Sequence, residues 1–205
     1  FRAFAAHRLD LDTLYVPETD FEESERGILV HNALESVWNE LKDSSKLRDL
    51  IENDQLQELI KNKIDEVSEK IGGSLKDQIQ FVELEKKRVA SLIEKWLIKE
   101  NLRESFEIYS LEHTETINLS GLELNVRVDR IDHLSDGRQL IIDYKTGDVK
   151  PKDWFDDRIQ DPQLPLYAIK LKPTGIAYAR VINESKKLKF LYISKDPPIL
   201  KELDK

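Results

Sequence analysis

Val126-Arg127-Val128-Asp129-Arg130-Ile131-Asp132-His133-Leu134-Ser135-Asp136-Gly137-Arg138-Gln139-Leu140-Ile141-Ile142-Asp143-Tyr144-Lys145 joins two β-type runs through a polar turn. Three loop residues ending in Gly137 suit a hairpin closed by a type I turn and a left-handed glycine. That closure sets Leu134 against Arg138, and therefore Ile131 against Ile141 and Asp129 against Asp143, with Arg127 facing Lys145. Side chains alternate along a strand. One face then carries Val126, Val128, Leu140, Ile142 and Tyr144, a core face; the other gathers Asp129, Asp143 and Lys145. Two carboxylates directly opposite each other destabilise a sheet, unless a cation lies between them. Hard oxygen ligands at that spacing suit Mg²⁺ or Mn²⁺. A neighbouring lysine can hold an attacking water or neutralise charge developing on a phosphate. Taken alone, an acidic pair on an open sheet face reads as solvated charge. The apolar run Leu140–Ile142, ending abruptly in an acid, is what favours a site.

Outward from the hairpin, period-two patterning predicts strands at 106–119, 122–134 and 138–145, a short helix at 161–171, and strands at 175–183 and 187–194. Upstream the period is helical. Ile28, Val30, Leu34, Val37, Trp38 and Leu41 mark a helix over 22–42, with Thr19 or Asp20 as its cap. Two further helices are expected at 46–71 and 75–102, separated by Gly72-Gly73-Ser74. Their apolar stripes read as helix–helix packing and carry no chemistry. Helices, three strands, a helix and two strands make an α/β fold with one mixed central sheet flanked by helices. The expectation is one domain over 1–205, with a helical part at about 20–102 and an α/β core at about 103–195.

The chain has 205 residues, 40% of them hydrophobic and 35% charged. It has no cysteine, which removes disulfides, cysteine-held zinc and iron–sulfur clusters from this segment. A cytoplasmic location is expected, without a signal peptide or a membrane span. The chain opens on Phe1 and is expected to be part of a longer protein. The net charge of −8 argues against a nucleic-acid partner, but it is unevenly spread. Residues 1–120 hold 16 Lys+Arg and 26 Asp+Glu, whereas residues 121–205 hold 16 and 14. A bound divalent cation would also reverse the local sign at an acidic site.

His31, then Asp129, then Asp143-Tyr144-Lys145, then Gln163-Leu164-Pro165-Leu166-Tyr167 form an ordered series. It resembles the RecB-family branch of the PD-(D/E)XK nucleases. There a histidine precedes an acid on one strand, Asp-Tyr-Lys on the next, and Gln-x-x-x-Tyr on a helix. The opening Phe1–Leu9 and the stretch Glu25–His31 are similar to AddB-like bacterial DNA-repair proteins, in which such a domain ends a larger helicase-like chain. The resemblance implies a restriction-endonuclease-like core. It implies a metal-dependent DNA nuclease, expected to be of exonuclease type, acting in repair or recombination. His31, Asp129 and Asp143 would be metal ligands, with the Tyr144 carbonyl a further one and Lys145 the catalytic lysine. Gln163 and Tyr167 would touch DNA or brace the site. Several such nucleases hold an iron–sulfur cluster through four cysteines, a feature absent from this segment.

Residue by residue, blander readings stay open. A lone histidine beside an apolar stripe is more often packed than ligating. Gly27, one turn before His31, costs helix stability relative to alanine, which suits a close approach there. Asp161 reads as the cap of the later helix, with Pro162 at its first position. Gln163 and Tyr167 then share a helix face, equally well as a surface glutamine and a core tyrosine. Glu112 is an auxiliary acid or a cross-strand partner. Arg130 is expected to pair with a helix, and Asp132 falls on the face away from the site. Lys150, Lys152 and Arg158 are candidates for phosphate contact. The rival functions are a nuclease-fold module that binds DNA or a helicase without cutting, a purely structural or interaction domain, and cleavage of RNA.

Overall fold

A computed structural model describes residues 23–71, 79–119, 121–150, 154–155, 159, 161–182, 188–195 and 200. Its elements run α1 (Glu23–Leu41), α2 (Ser44–Glu52), α3 (Leu56–Ile71), α4 (Ile79–Glu100), β1 (Phe106–Leu119), β2 (Leu122–Leu134), β3 (Gln139–Lys145), α5 (Gln163–Leu171), β4 (Gly175–Arg180) and β5 (Lys189–Ser194). The five strands form one sheet in the order β1-β2-β3-β4-β5. Only the β3–β4 pair is parallel, so the sheet is mixed, as expected. The expected cap at Thr19 or Asp20 and the break at Gly72–Ser74 lie outside the described residues.

The stretch 46–71 is two helices, not one. Asp43 caps α2 by accepting a hydrogen bond from Lys46 N at 2.9 Å. Asn53 ends it, its side-chain amide donating to Asp49 O at 2.8 Å. Asp54 then takes a left-handed φ of 55°. Asn and Asp tolerate that conformation because their short polar side chains bond locally, and two such residues in succession stop the helix.

Helices α1–α4 cover one face of the sheet through Leu34, Val37, Trp38, Ile93, Trp96 and their neighbours, packed against Leu140, Ile142, Tyr144, Ala177, Ala179 and Phe190. The other face packs Val128, Ile131, Ile141, Ile176 and Tyr178 against Trp154 and α5's Leu164 and Tyr167. Leu140, Ile141 and Ile142 are all fully buried, because a central strand covered on both faces needs apolar residues at every position.

The hairpin closes as its turn predicts. Leu134 N donates to Arg138 O at 2.9 Å and Gly137 N to Leu134 O at 3.0 Å, with Gly137 at φ 83°. Ile131 pairs with Ile141. The β2–β3 ladder nevertheless ends at Arg130/Ile142, one step short of the expected Asp129/Asp143 pair. The expected core face also needs correction, since Val128 packs in the α5-side cluster with Val126 against it, away from Leu140, Ile142 and Tyr144. The β1–β2 ribbon exchanges its faces at one step. Leu111 and Arg130 pair, as do His113 and Val128. Leu111 packs toward the helical cluster and Val128 toward α5. Glu112 lies between them at φ 48°, a conformation a non-glycine residue adopts at a cost. Beyond this exchange β2 no longer pairs with β3, and Arg127 pairs with Glu112 at 2.9 Å instead of facing Lys145.

Under the helical face lies a charged cluster. Arg130 Nη1 contacts Glu100 Oε1 at 2.8 Å and donates to the Tyr144 hydroxyl at 2.9 Å. Its Nη2 donates to Asp132 at 2.8 Å. Arg103 bonds the same two acids, at 2.6 and 2.8 Å, and Trp96 Nε1 donates to Glu100 at 2.9 Å. The expected helix pairing of Arg130 is therefore present, with Glu100 on α4.

Candidate active site

The site gathers where β2 leaves β3. With the ladder ended, the Asp129 carboxylate takes the place of a ladder acceptor and receives Tyr144 N–H at 2.6 Å. The same oxygen lies 3.3 Å from His31 Nδ1, delivered by α1. A Cβ on Gly27 would come within 3.2 Å of Thr146 Oγ1, so the glycine lets α1 lie close to the end of β3. The His31 and Tyr144 rings meet edge to face, centroids 6.1 Å apart. Burial works against the His31 imidazolium, but the hydrogen bond and charge of Asp129, helped by Asp143, outweigh it and hold its pKa above the usual value.

Asp143 is 3% exposed, and the Lys145 ammonium lies 2.8 Å from its Oδ2. Burial first, then repulsion by Asp129, pushes the Asp143 carboxyl up to about 6. Lys145 also lies 2.9 Å from Asp161 and 5.5 Å from the centre of the Tyr178 ring. Burial disfavours its ammonium, yet the carboxylates of Asp143 and Asp161 raise its pKa well above the usual range. Glu112 is raised too, by burial and then by Asp129, with Arg127 pulling the other way.

His31, Asp129, Asp143, Tyr144 and Lys145 are thus neighbours. Gln163 is half-buried at the first position of α5. Tyr167 is buried, and its hydroxyl lies within hydrogen-bond reach of His113 O and, at 3.0 Å, of Val126 O, its one proton shared between the two carbonyls. It ties α5 to both strands of the ribbon just beyond the face exchange. Tyr167→Phe is predicted to lower stability by about 1–2 kcal/mol, the cost of leaving buried acceptors short of a donor; urea unfolding measures it. Lys150 is exposed, and Lys152 and Arg158 lie outside the described residues.

Asp161 requires a correction. The cap position of α5 is Pro162, with no side-chain cap bond, and the Asp161 carboxylate turns instead to Lys145 and to the Tyr178 hydroxyl. An acid placed before proline and a helix start has capping as its obvious use, and nothing local in the sequence points it at a lysine 16 positions upstream.

Among the described residues, no three His, Asp or Glu side chains stand as a ready-made metal cage. The donor chemistry nevertheless fits a divalent cation. Asp143 is buried, the Asp129 carboxylate repels its charge, and an imidazole adjoins. His31 Nδ1 stands at Asp129 and the Lys145 ammonium at Asp143.

A comparison with curated proteins finds no match. Among solved structures, the "Crystal structure of SSO0001" matches with 15% identity and a TM-score of 0.32, over 98% of this chain and 79% of that one. The family model of the PD-(D/E)XK nuclease superfamily matches residues 1–204, and nucleases of that superfamily generally use divalent metals. With that match over nearly all its length, and a mixed five-stranded sheet flanked by helices, the chain belongs to the PD-(D/E)XK nuclease superfamily.

Proposed function

We propose that this chain hydrolyses DNA phosphodiester bonds with Mg²⁺ or Mn²⁺, as an exonuclease-type domain of the RecB kind working in DNA repair or recombination. On this reading it completes a larger helicase-like protein of the AddB type or serves a helicase partner, in the cytoplasm. One observation carries the chemistry: two buried carboxylates, Asp129 and Asp143, stand at one strand end with the Lys145 ammonium 2.8 Å from Asp143. Asp129 and Asp143 would hold the cation, with His31 and the Tyr144 carbonyl as further ligands. When bound, such a cation acidifies a water and offsets phosphate charge. Lys145 brings an ammonium group to meet negative charge as it develops on the phosphate. Asp129, fixed by Tyr144 N–H and His31, holds the second acidic position without having to reorganise. Gln163 and Tyr167 would touch the DNA or brace the ribbon beside it.

The deciding assay offers single- and double-stranded DNA, linear and circular, with Mg²⁺, Mn²⁺ or EDTA. Degradation of linear DNA that EDTA stops is expected. Intact DNA under every metal condition would leave a nuclease-fold binding module. Digestion of RNA in preference to DNA would change the substrate.

A further inference from the structure

We infer that Asp161 is a positioning residue, a fixed second anchor that holds the Lys145 ammonium when the acidic pair takes up its cation. The inference rests on the metal-dependent reading above and adds a residue to it. Lys145 lies between two carboxylates, 2.8 Å from Asp143 and 2.9 Å from Asp161. The Asp143 carboxylate it approaches is buried, only 3% exposed. A divalent cation at Asp143 therefore competes with Lys145 for the same negative charge. Two cations crowding one carboxylate repel, so the ammonium has to loosen from Asp143 as the metal arrives.

A lysine head on a flexible four-carbon stem moves readily and would swing into solvent, away from the phosphate it is to meet. Asp161 gives it another partner at nearly the same distance. That partner stands on a firm mount. Asp161 precedes Pro162 at the start of α5, and α5 is held by buried Leu164 and by Tyr167's bonds to β1 and β2. The Tyr178 ring lies beside the ammonium, and Trp154 Nε1 fixes the Tyr178 hydroxyl at 2.6 Å. No helix-cap bond competes for the Asp161 carboxylate.

The test is Mn²⁺ binding to the whole chain without DNA, by calorimetry, in a double-mutant cycle of Asp161→Asn and Lys145→Ala. With Asp161 neutral, Lys145 falls back on Asp143, and Mn²⁺ binding weakens about tenfold, the low end for residues that orient metal ligands. Lys145→Ala removes the competitor and tightens binding. In that background Asp161→Asn costs no more than about twofold, a non-additivity that marks action through the lysine. Equal weakening in both backgrounds would mean that Asp161 contributes only its charge, and overturns the inference. So does a Lys145→Ala protein that binds Mn²⁺ no more tightly than the parent. Unchanged binding in Asp161→Asn sinks the anchor while leaving the nuclease reading intact. A parent chain that takes up no Mn²⁺ sinks both.

Discussion

Asp143→Asn is expected to reduce metal-dependent DNA cleavage by about a thousandfold, the upper range for losing one centre of transition-state electrostatics, while making the metal-free protein more stable at pH 7.5. The two effects share one cause. The Asp143 carboxyl is pushed up to about 6 from an ordinary 3.8, first by burial and then by Asp129. The folded state thus binds this proton more tightly than the unfolded chain does. Stability from the group is fully present below about pH 3.8 and is lost as pH rises through about 6. Near neutrality the ionised carboxylate opposes folding by about 1–3 kcal/mol, at 1.36 kcal/mol per pKa unit. Asparagine keeps the shape and removes the charge, so the metal-free variant should melt a few degrees higher, at about 2–4 °C per kcal/mol for a chain of this size. Added Mn²⁺ should reverse the order, because only the parent gains binding free energy. Thermal melts in EDTA and in Mn²⁺, at pH 4 and pH 7.5, read all of this. A variant that cleaves like the parent, or that melts lower than the parent in EDTA at pH 7.5, contradicts the site.

The parts legible in the sequence were those set by local rules. A three-residue turn ending in Gly137 fixes the register of β2 on β3, and Ile131 does meet Ile141. The apolar run Leu140–Ile142 marks a strand ending in an acid, though alternation assigns it one core face where the structure covers both. The parts that escaped depend on twist and on distant partners. Alternation predicts Val128 beside Ile142, yet Val128 packs on the α5 side, with a left-handed residue at Glu112 where the faces exchange. Nothing in the run Leu111-Glu112-His113 signals that conformation, since glutamate is not a residue that favours it. Asp161 escaped for a related reason, since its partner is set by the crossover from β3 to α5 and not by its neighbours. His31 was legible only through resemblance. Its place beside Asp129 follows from the packing of α1 on the sheet, eased at Gly27.

Arg130→Met is the substitution expected to cost the fold most, about 3–5 kcal/mol. Arg130 is fully buried, its guanidinium 4.1 Å from the centre of the Trp38 ring and shared among Glu100, Asp132 and Tyr144. Methionine fills much of the volume but leaves two buried carboxylates with Arg103 as their one remaining guanidinium partner among the described residues. The loss exceeds the worth of any one pair because stranded charge, not missing contact, sets the cost. Replacing Arg130, Arg103, Glu100 and Asp132 together by apolar residues of similar volume should destabilise less than Arg130→Met alone, since the desolvation penalty of four ions is then removed with their attraction. Urea unfolding of the two proteins separates these outcomes, and a single substitution costing under about 1 kcal/mol would show that the cluster is hydrated and not dry. The cluster is also tied to the site, because Arg130 follows Asp129 on β2 and holds the hydroxyl of Tyr144 between Asp143 and Lys145. If it serves to fix that strand end, the apolar fourfold variant should stay folded and still lose cleavage. Its Tyr144 hydroxyl, left without Arg130, no longer pins the backbone N–H that Asp129 accepts.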